Sequence, residues 1–511
     1  MNPQAPNRKH LVTDIMKSNF KIFIIGGALT FMLTSSVAGV SQGDEDTGSV
    51  PLNILFITAD DLGLQLGAYG DEVIETPHMD ALAASGVQFN IAYVAQASCS
   101  PSRSGMFTGL HVHSNGQYGL TATRTSLHPH LHDAMMPNIL KRAGYHTGII
   151  GKLHVDPGNK FQFDFKKANA RDAWDVKLVA ENASEFFTQS GDQPFFLMVN
   201  FTDPHAWRER DPETGEFSPW TFLDRNNGVP ETLVEPGEKT LWPFQRVDSP
   251  EQRARVAGYY NEVKRLDVGV GLLMDVLEKN GHADNTLIIF IGDHGPPFDR
   301  AKTTVYEAGL RIPFLVRWPG VSRSMKSDAM VSTVDILPTV IDATGAEPAV
   351  QMHGRSLRPV LQDPDADWRE YLAGEFHLHG PPFFPRRAIR DHRYKLIHNL
   401  RAGEIKPFIR VDGDIGYDLS RESRYDGSDV RRAFDIYADP PEFELYDLGN
   451  DPWEFNNMAG QQGHEEVQER LTQALLEWRE QTEDPFLDPD FLDEVQAPYD
   501  EYMRKTRKAN E

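Results

Sequence analysis

The stretch Ser98-Cys99-Ser100-Pro101-Ser102-Arg103, running on to Thr108-Gly109, holds the single cysteine of a 511-residue chain. A lone thiol has no internal disulfide partner, so Cys99 is either a small buried hydrophobe or a reactive group. Pro, Ser and Arg at the second, third and fourth places after it spell a turn that opens a helix. Residue 99 then sits at the positive helix end with an arginine one turn on, a setting for anion chemistry. Further reactive residues follow short apolar runs. Asn53 to Thr58 leads into Asp60-Asp61, and Thr147 to Ile150 leads into Lys152 and His154. Phe195 to Phe201 leads into Asp203-Pro204-His205, and Leu287 to Ile291 leads into Gly292-Asp293-His294-Gly295. If Asp60, Asp61 and Asp293 face one another, the three carboxylates need a cation, and oxygen-rich ligation suits Ca²⁺ or Mg²⁺.

The elements that must position these groups have an α/β pattern: buried apolar strands separated by helical stretches. Ligand crevices of open α/β sheets lie beyond the carboxyl ends of the strands, so four polar strand ends can converge there. Ser249-Pro250 reads as an N-cap and first turn of a scaffold helix that continues to Asn280 and stops at Gly281. Thr76-Pro77 opens a shorter helix that Gly86 ends. Between Asp203 and Trp242 the abundance of Pro, Gly and charge predicts a loop excursion that walls a pocket. Asp and Pro cluster between Leu361 and Trp368, which places a domain boundary there, and this length favours two domains. Beyond the boundary, Arg387 to Asn399 and Phe443 onwards read as strands, and His464 to Gln481 as an amphipathic helix. There is no internal repeat.

Cys-x-Pro-Ser-Arg followed by Thr-Gly resembles the pattern of type I sulfatases, and the resemblance runs from about Asn53 to near Gln481. Within that family the stretches Ser98 to Leu120, Thr147 to Val155 and Arg393 to Leu400 are similar to the heparan N-sulfatase (sulfamidase) branch. The resemblance implies an alkaline-phosphatase-like α/β fold. A large mixed sheet flanked by helices would span residues 51–365, a smaller α+β subdomain with a four-stranded antiparallel sheet residues 366–490, and a tail residues 491–511. It further implies that a maturation enzyme converts Cys99 to formylglycine, whose hydrate attacks sulfur. One Ca²⁺ would be held by Asp60, Asp61, Asp293, His294 and residue 99. Arg103, Lys152 and Lys302 would bind the sulfate group. His205, assisted by Lys302, would protonate the leaving atom, and His154 would take a proton from the hydrate. Sulfamidases carry Asn at the position of His294 and Arg at that of Lys302. Both departures point toward other sulfatases.

Saccharide recognition would fall to His111, His377, His379 and Arg387, with His113, Trp207, Tyr306 and Arg386 as further candidates, because imidazole, guanidinium and aromatic faces suit anionic sugars. Of these, the segment Glu375 to Arg387 is the expected subsite, since sulfamidases have a histidine pair there. Asp and Glu outnumber Lys and Arg by 75 to 51, for a net charge of −24. Such a field repels an anionic glycan unless salt screens it, and no basic stripe suggests nucleic acid. Lys17 and Lys21, an apolar run from Ile22 to Leu33 and Ser35-Ser36-Val37-Ala38 read as a signal peptide over residues 1–38, with Met16 as an alternative start. That run is too short for a stable membrane anchor. The expectation is a periplasmic or secreted sulfatase that hydrolyses O-sulfate esters of an algal or marine polysaccharide such as ulvan. A heparan N-sulfatase, a phosphonate or phosphodiester hydrolase, and a non-catalytic sulfated-glycan binding protein are the alternatives.

Overall fold

Four parallel strands carry the four polar ends, and they are immediate neighbours. The computed structural model describes residues 51–510, with side chains to residue 506, so the expected signal peptide lies outside the described residues. In chain order the strands of the larger sheet are β1 (Asn53–Ala59), β2 (Val87–Tyr93), β3 (His146–Gly151), β4 (Phe165–Lys167), β5 (Phe195–Phe201), β6 (Thr286–Gly292), β7 (Phe314–Arg317) and β8 (Met325–Ser332). They lie in the order β4-β3-β5-β1-β6-β7-β2-β8, with β7 antiparallel to both β6 and β2. The sheet is therefore mixed, as the sequence resemblance implied.

The apolar runs are continuous because both sheet faces are covered. Along β1, Ile54 and Phe56 enter one buried cluster while Leu55, Ile57 and Ala59 enter the cluster on the opposite face. Helices Val176–Ser190 and Pro250–Lys279 supply much of the second cluster. The long helix starts where expected: Ser249 accepts the Gln252 N–H at 3.1 Å, Pro250 occupies the first turn, and Gly281 follows at φ +78°. Ser249→Ala should cost about 1 kcal/mol, read as a lower denaturant midpoint with unchanged slope. The Thr76-Pro77 helix spans Pro77–Ala84, so it ends just short of Gly86.

The second sheet is antiparallel, ordered β12-β11-β10-β9, from β9 (Leu372–Phe376), β10 (Arg386–Arg390), β11 (Tyr394–Asn399) and β12 (Phe443–Asp447). Helix Glu465–Gln481 packs on it through Leu471, Ala474 and Leu475. Gln96 bridges to Glu375, so the C-terminal part of β9 lies beside the entry to the Cys99 helix. Residues 489–510, read from sequence mostly as tail, form a helix. Its Leu492 is buried, and Tyr499 stacks on Phe383 with ring centroids 5.5 Å apart. No helix among the described residues is long and apolar enough to cross a membrane.

Candidate active site

Strand register assembles the site. Ala59 pairs with both Phe201 and Gly292, and Gly151 pairs with Asn200, so the carboxyl ends of β3, β5, β1 and β6 lie almost level. Asp60, Asp293 and Lys152 leave the sheet at that level. Above them helix Cys99–Thr108 presents its first residue, with Ser98 extended as the N-cap, and the whole helix is buried. The left-handed backbone at Asp61 (φ 68°) and His154 (φ 51°) turns both residues sharply out of their strand ends, a local strain held by the surrounding packing.

Asp60, Asp61, Cys99 and His205 form one group whose ligand atoms lie within 4.8 Å of one another, and Asp60, Cys99, Asp293 and His294 form another. Cys99 Sγ is 3.3 Å from His294 Nε2, which is also 3.2 Å from Asp61 Oδ1. His294 Nδ1 lies 2.9 Å from the Gly295 carbonyl, so Nδ1 carries a proton and Nε2 is the atom free to ligate. Asp60 Oδ1 is buried with no hydrogen-bond partner among the described residues. Burial pushes Asp293 up to about 7, and neighbouring Asp60 adds to the rise. An unpartnered carboxylate oxygen amid three crowded acids is a fit for a hard cation, with Asp60, Asp61, Asp293, His294 and residue 99 as its holders.

Positive groups close around the same point. Arg103 donates to Asp293 Oδ2 at 3.0 Å, to the Lys152 carbonyl at 2.9 Å and to Asn200 Oδ1 at 2.8 Å. Lys152 Nζ donates to Asp60, and Lys302 Nζ lies between Asp61 at 3.0 Å and Asp412 Oδ2 at 2.7 Å. Burial alone would raise the Cys99 thiol, but Lys152, Lys302 and His294 pull it well below its usual range. The site therefore favours negative charge at residue 99 despite the acidic chain.

The two histidines named for proton transfer differ in state. His205 Nδ1 lies 2.7 Å from the Ala206 carbonyl and so carries a proton, while Nε2 faces Asp61 at 4.0 Å. Burial would lower His205, yet Asp61 outweighs it and raises the imidazole to about 9. His154 lies against Cys99 and is lowered by burial and then by Lys152, so it is a neutral acceptor. His379 also borders the opening, with Nδ1 2.9 Å from Ser98 Oγ.

Several residues expected to meet the sugar do not reach this opening. His377 is fully buried, with Nδ1 2.9 Å from Gln96 Oε1 and its ring packed near Tyr118 and Phe486. Arg387 is fully buried and bidentate to Asp484 at 2.8 and 2.9 Å. Both Arg386 and Arg387 belong to β10, an interior strand covered on both faces, which turns their charges to internal partners or rings rather than solvent. Tyr306 donates to Glu444 at 2.9 Å, and His113 binds Glu375 at 2.8 Å. Trp207 packs edge-on against Trp174, and its backbone bridges to Thr221 within the predicted loop excursion. His111 lines a separate cavity beyond the far end of the Cys99 helix.

Two site residues escaped the sequence reading. Asn200 had a signal: it is the only polar residue of the apolar run Phe195–Phe201, and it accepts from both Thr58 at 2.6 Å and Arg103. Asp412 had none, because it lies in the one-turn 3-10 helix Val411–Gly413, 110 residues from its partner Lys302.

The sulfatase family model matches residues 52–346, and a model described as N-sulphoglucosamine sulphohydrolase, C-terminal, matches residues 292–414. The chain is 32% identical to human N-sulphoglucosamine sulphohydrolase over 466 residues, covering 86% of this chain and 91% of that protein. It is 29% identical to an ulvan-active sulfatase of Formosa agariphila over 439 residues, covering 83% and 79%. A solved structure described as a complex with its substrate D-glucosamine-2-N,6-O-disulfate superposes with a TM-score of 0.62 at 22% identity, covering 85% of this chain and 98% of that one.

Proposed function

The chain belongs to the sulfatase family and is a sulfuric ester hydrolase, and from that premise we propose an exported enzyme that removes O-sulfate from a sulfated polysaccharide of the ulvan type. The observation that carries this reading is the convergence of Arg103, Lys152, Lys302, His154 and His205 on residue 99 beside the carboxylate cluster. The polysaccharide class is supported by the named activity of the Formosa relative. Export is supported by the leader-like pattern of residues 1–38.

In this proposal a maturation enzyme converts Cys99 to formylglycine, whose hydrated aldehyde supplies the nucleophile. Asp60, Asp61, Asp293, His294 and residue 99 would hold a calcium ion, which would supply positive charge beside the nucleophile. Arg103 and Lys152, each fixed by a carboxylate, orient the sulfate oxygens and favour charge that grows on them. His205 Nε2 donates a proton to the leaving oxygen, with Lys302 alongside. His154, lowered in pKa and lying against residue 99, would accept a proton there. Removal of the cation by a chelator should lower both sulfate release and the melting temperature, because it leaves three buried carboxylates repelling one another. Restoration of both by Ca²⁺ checks the assignment.

A second reading, removal of N-sulfate from glucosamine, is favoured by the human relative and by the match over residues 292–414. The deciding assay is sulfate release by protein with formylglycine confirmed at residue 99. It compares an O-sulfated ulvan oligosaccharide with an N-sulfated glucosamine oligosaccharide. Release from the first alone is the expected result. Release from the second alone replaces this reading with the N-sulfatase.

A further inference from the structure

His111, His353, Arg355, Arg369 and Trp478 line a cavity of about 370 Å³ that shares no lining residue with the catalytic cluster. It lies beyond the C-terminal end of helix Cys99–Thr108, which at a rise of about 1.5 Å per residue is roughly 15 Å from residue 99. Gly109 ends that helix at φ 68°, and its carbonyl accepts the N–H groups of His353 at 2.9 Å and Gly354 at 3.2 Å. The cavity loop is thereby tied to the helix that presents residue 99.

The hydrogen-bond directions in the cavity are one-sided. Trp478 Nε1–H donates to His111 Nε2 at 3.4 Å, so neutral His111 carries its proton on Nδ1, and that buried atom has no partner among the described residues. The His111 backbone N–H donates to His353 Nδ1 at 3.1 Å, which leaves Nε2 of neutral His353 as a further donor. Burial keeps both rings neutral, lowering His111 well below its usual value and His353 to about 4. Arg355 stacks on Trp368 with its guanidinium 3.9 Å from the ring centroid, and Arg369 pairs with buried Asp335 at 2.6 Å. Among the described residues no acidic side chain lines the cavity, although Asp and Glu outnumber Lys and Arg by 75 to 51 in the chain.

A cavity of ligand size, walled by an indole and furnished with donors and arginines, calls for an acceptor-rich anion on an organic frame. We propose that it binds a sulfate or carboxylate group of a second saccharide residue in the same glycan, so that the enzyme grips its polymer at two points. The proposal rests on the reading of the substrate as a sulfated polysaccharide. It gives the acidic protein a local reason to hold an anionic chain, and it assigns His111 to binding at a distance from the chemistry.

The test is Arg355→Glu, with Arg355→Gln as the variant that removes charge without adding any, both in full-length protein carrying formylglycine. Arg355 is exposed, so both variants should melt with the wild type. The expected result is a KM for sulfated polysaccharide raised about tenfold, the equivalent of about 1.4 kcal/mol, with kcat unchanged and the kinetics on a small aryl sulfate untouched. If a carboxyl-reduced polymer no longer distinguishes variant from wild type, the bound group is the carboxylate; if it still does, the group is sulfate. An unchanged KM on polymer, or equal losses on polymer and aryl sulfate, overturns the proposal. Should wild-type protein release no sulfate from any glycan, the functional reading fails on its own. Calorimetric titration of the sulfated polysaccharide then still decides the cavity: weaker binding by R355E upholds it and equal affinity overturns it.

Discussion

Sulfate release is expected to fall by on the order of 10⁵ or more when Cys99 is replaced by alanine, while the melting temperature stays within a few degrees of wild type. The reason is a division of labour inside one cluster. Asp60, Asp61, Asp293 and His294 keep their mutual contacts without residue 99, and Arg103 and Lys152 keep their carboxylates. Only the reacting atom is lost. On the proposed formylglycine reading, a thiol left unconverted should behave like the alanine, because it lacks the hydrated aldehyde that would supply the nucleophile. Peptide mass at residue 99, measured on the preparation used for kinetics, therefore belongs with every activity value. Substantial turnover by Cys99→Ala would sink the mechanism.

Arg387→Ala should do the reverse: destabilise the protein by about 3–5 kcal/mol and leave KM for small substrates unchanged. The guanidinium is wholly buried, clasps Asp484 through two hydrogen bonds and lies 3.6 Å from Glu375. Removing it leaves Asp484 with one arginine, Arg479 at 2.7 Å, and the Phe486 N–H at 3.0 Å. Burial raises the Asp484 carboxyl, but Arg387 outweighs burial and holds it well below the usual carboxylate range. A folded pKa below the unfolded value of about 3.9 means the stabilisation is present above that pH and is lost as pH falls through the depressed value. The gap between variant and wild type should thus persist from neutrality to about pH 4 and narrow below it. Denaturant melts across that range check the sign. A KM effect at unchanged stability would return Arg387 to the substrate site.

The contrast between these two residues shows where the sequence was legible. Cys99 announced itself through a fixed local pattern, since a helix N-terminus, its proline and its arginine are all set within a few residues. The same holds for the polar ends of β1, β3, β5 and β6: each lies at the close of an apolar run, and alternation onto two covered faces explains why those runs are unbroken. The Ser249 cap and the Gly281 stop are local signals too. Arg387 and His377 have the right chemistry for an anionic sugar, yet nothing nearby in sequence says whether an arginine on a strand meets solvent or a carboxylate 97 residues away.

By itself the sequence determined the α/β class, the polar ends that close the apolar strands and the helix that opens at residue 99, because those follow from spacing within one element. Tertiary structure alone decided which strand ends are neighbours and level with one another. It also brought Asp412 to Lys302, sealed Arg387 and His377 inside, and set His111 in a cavity of its own. Those outcomes depend on sheet order and on packing between distant segments, and a pairwise contact formed across a hundred residues leaves no periodicity for either partner to display.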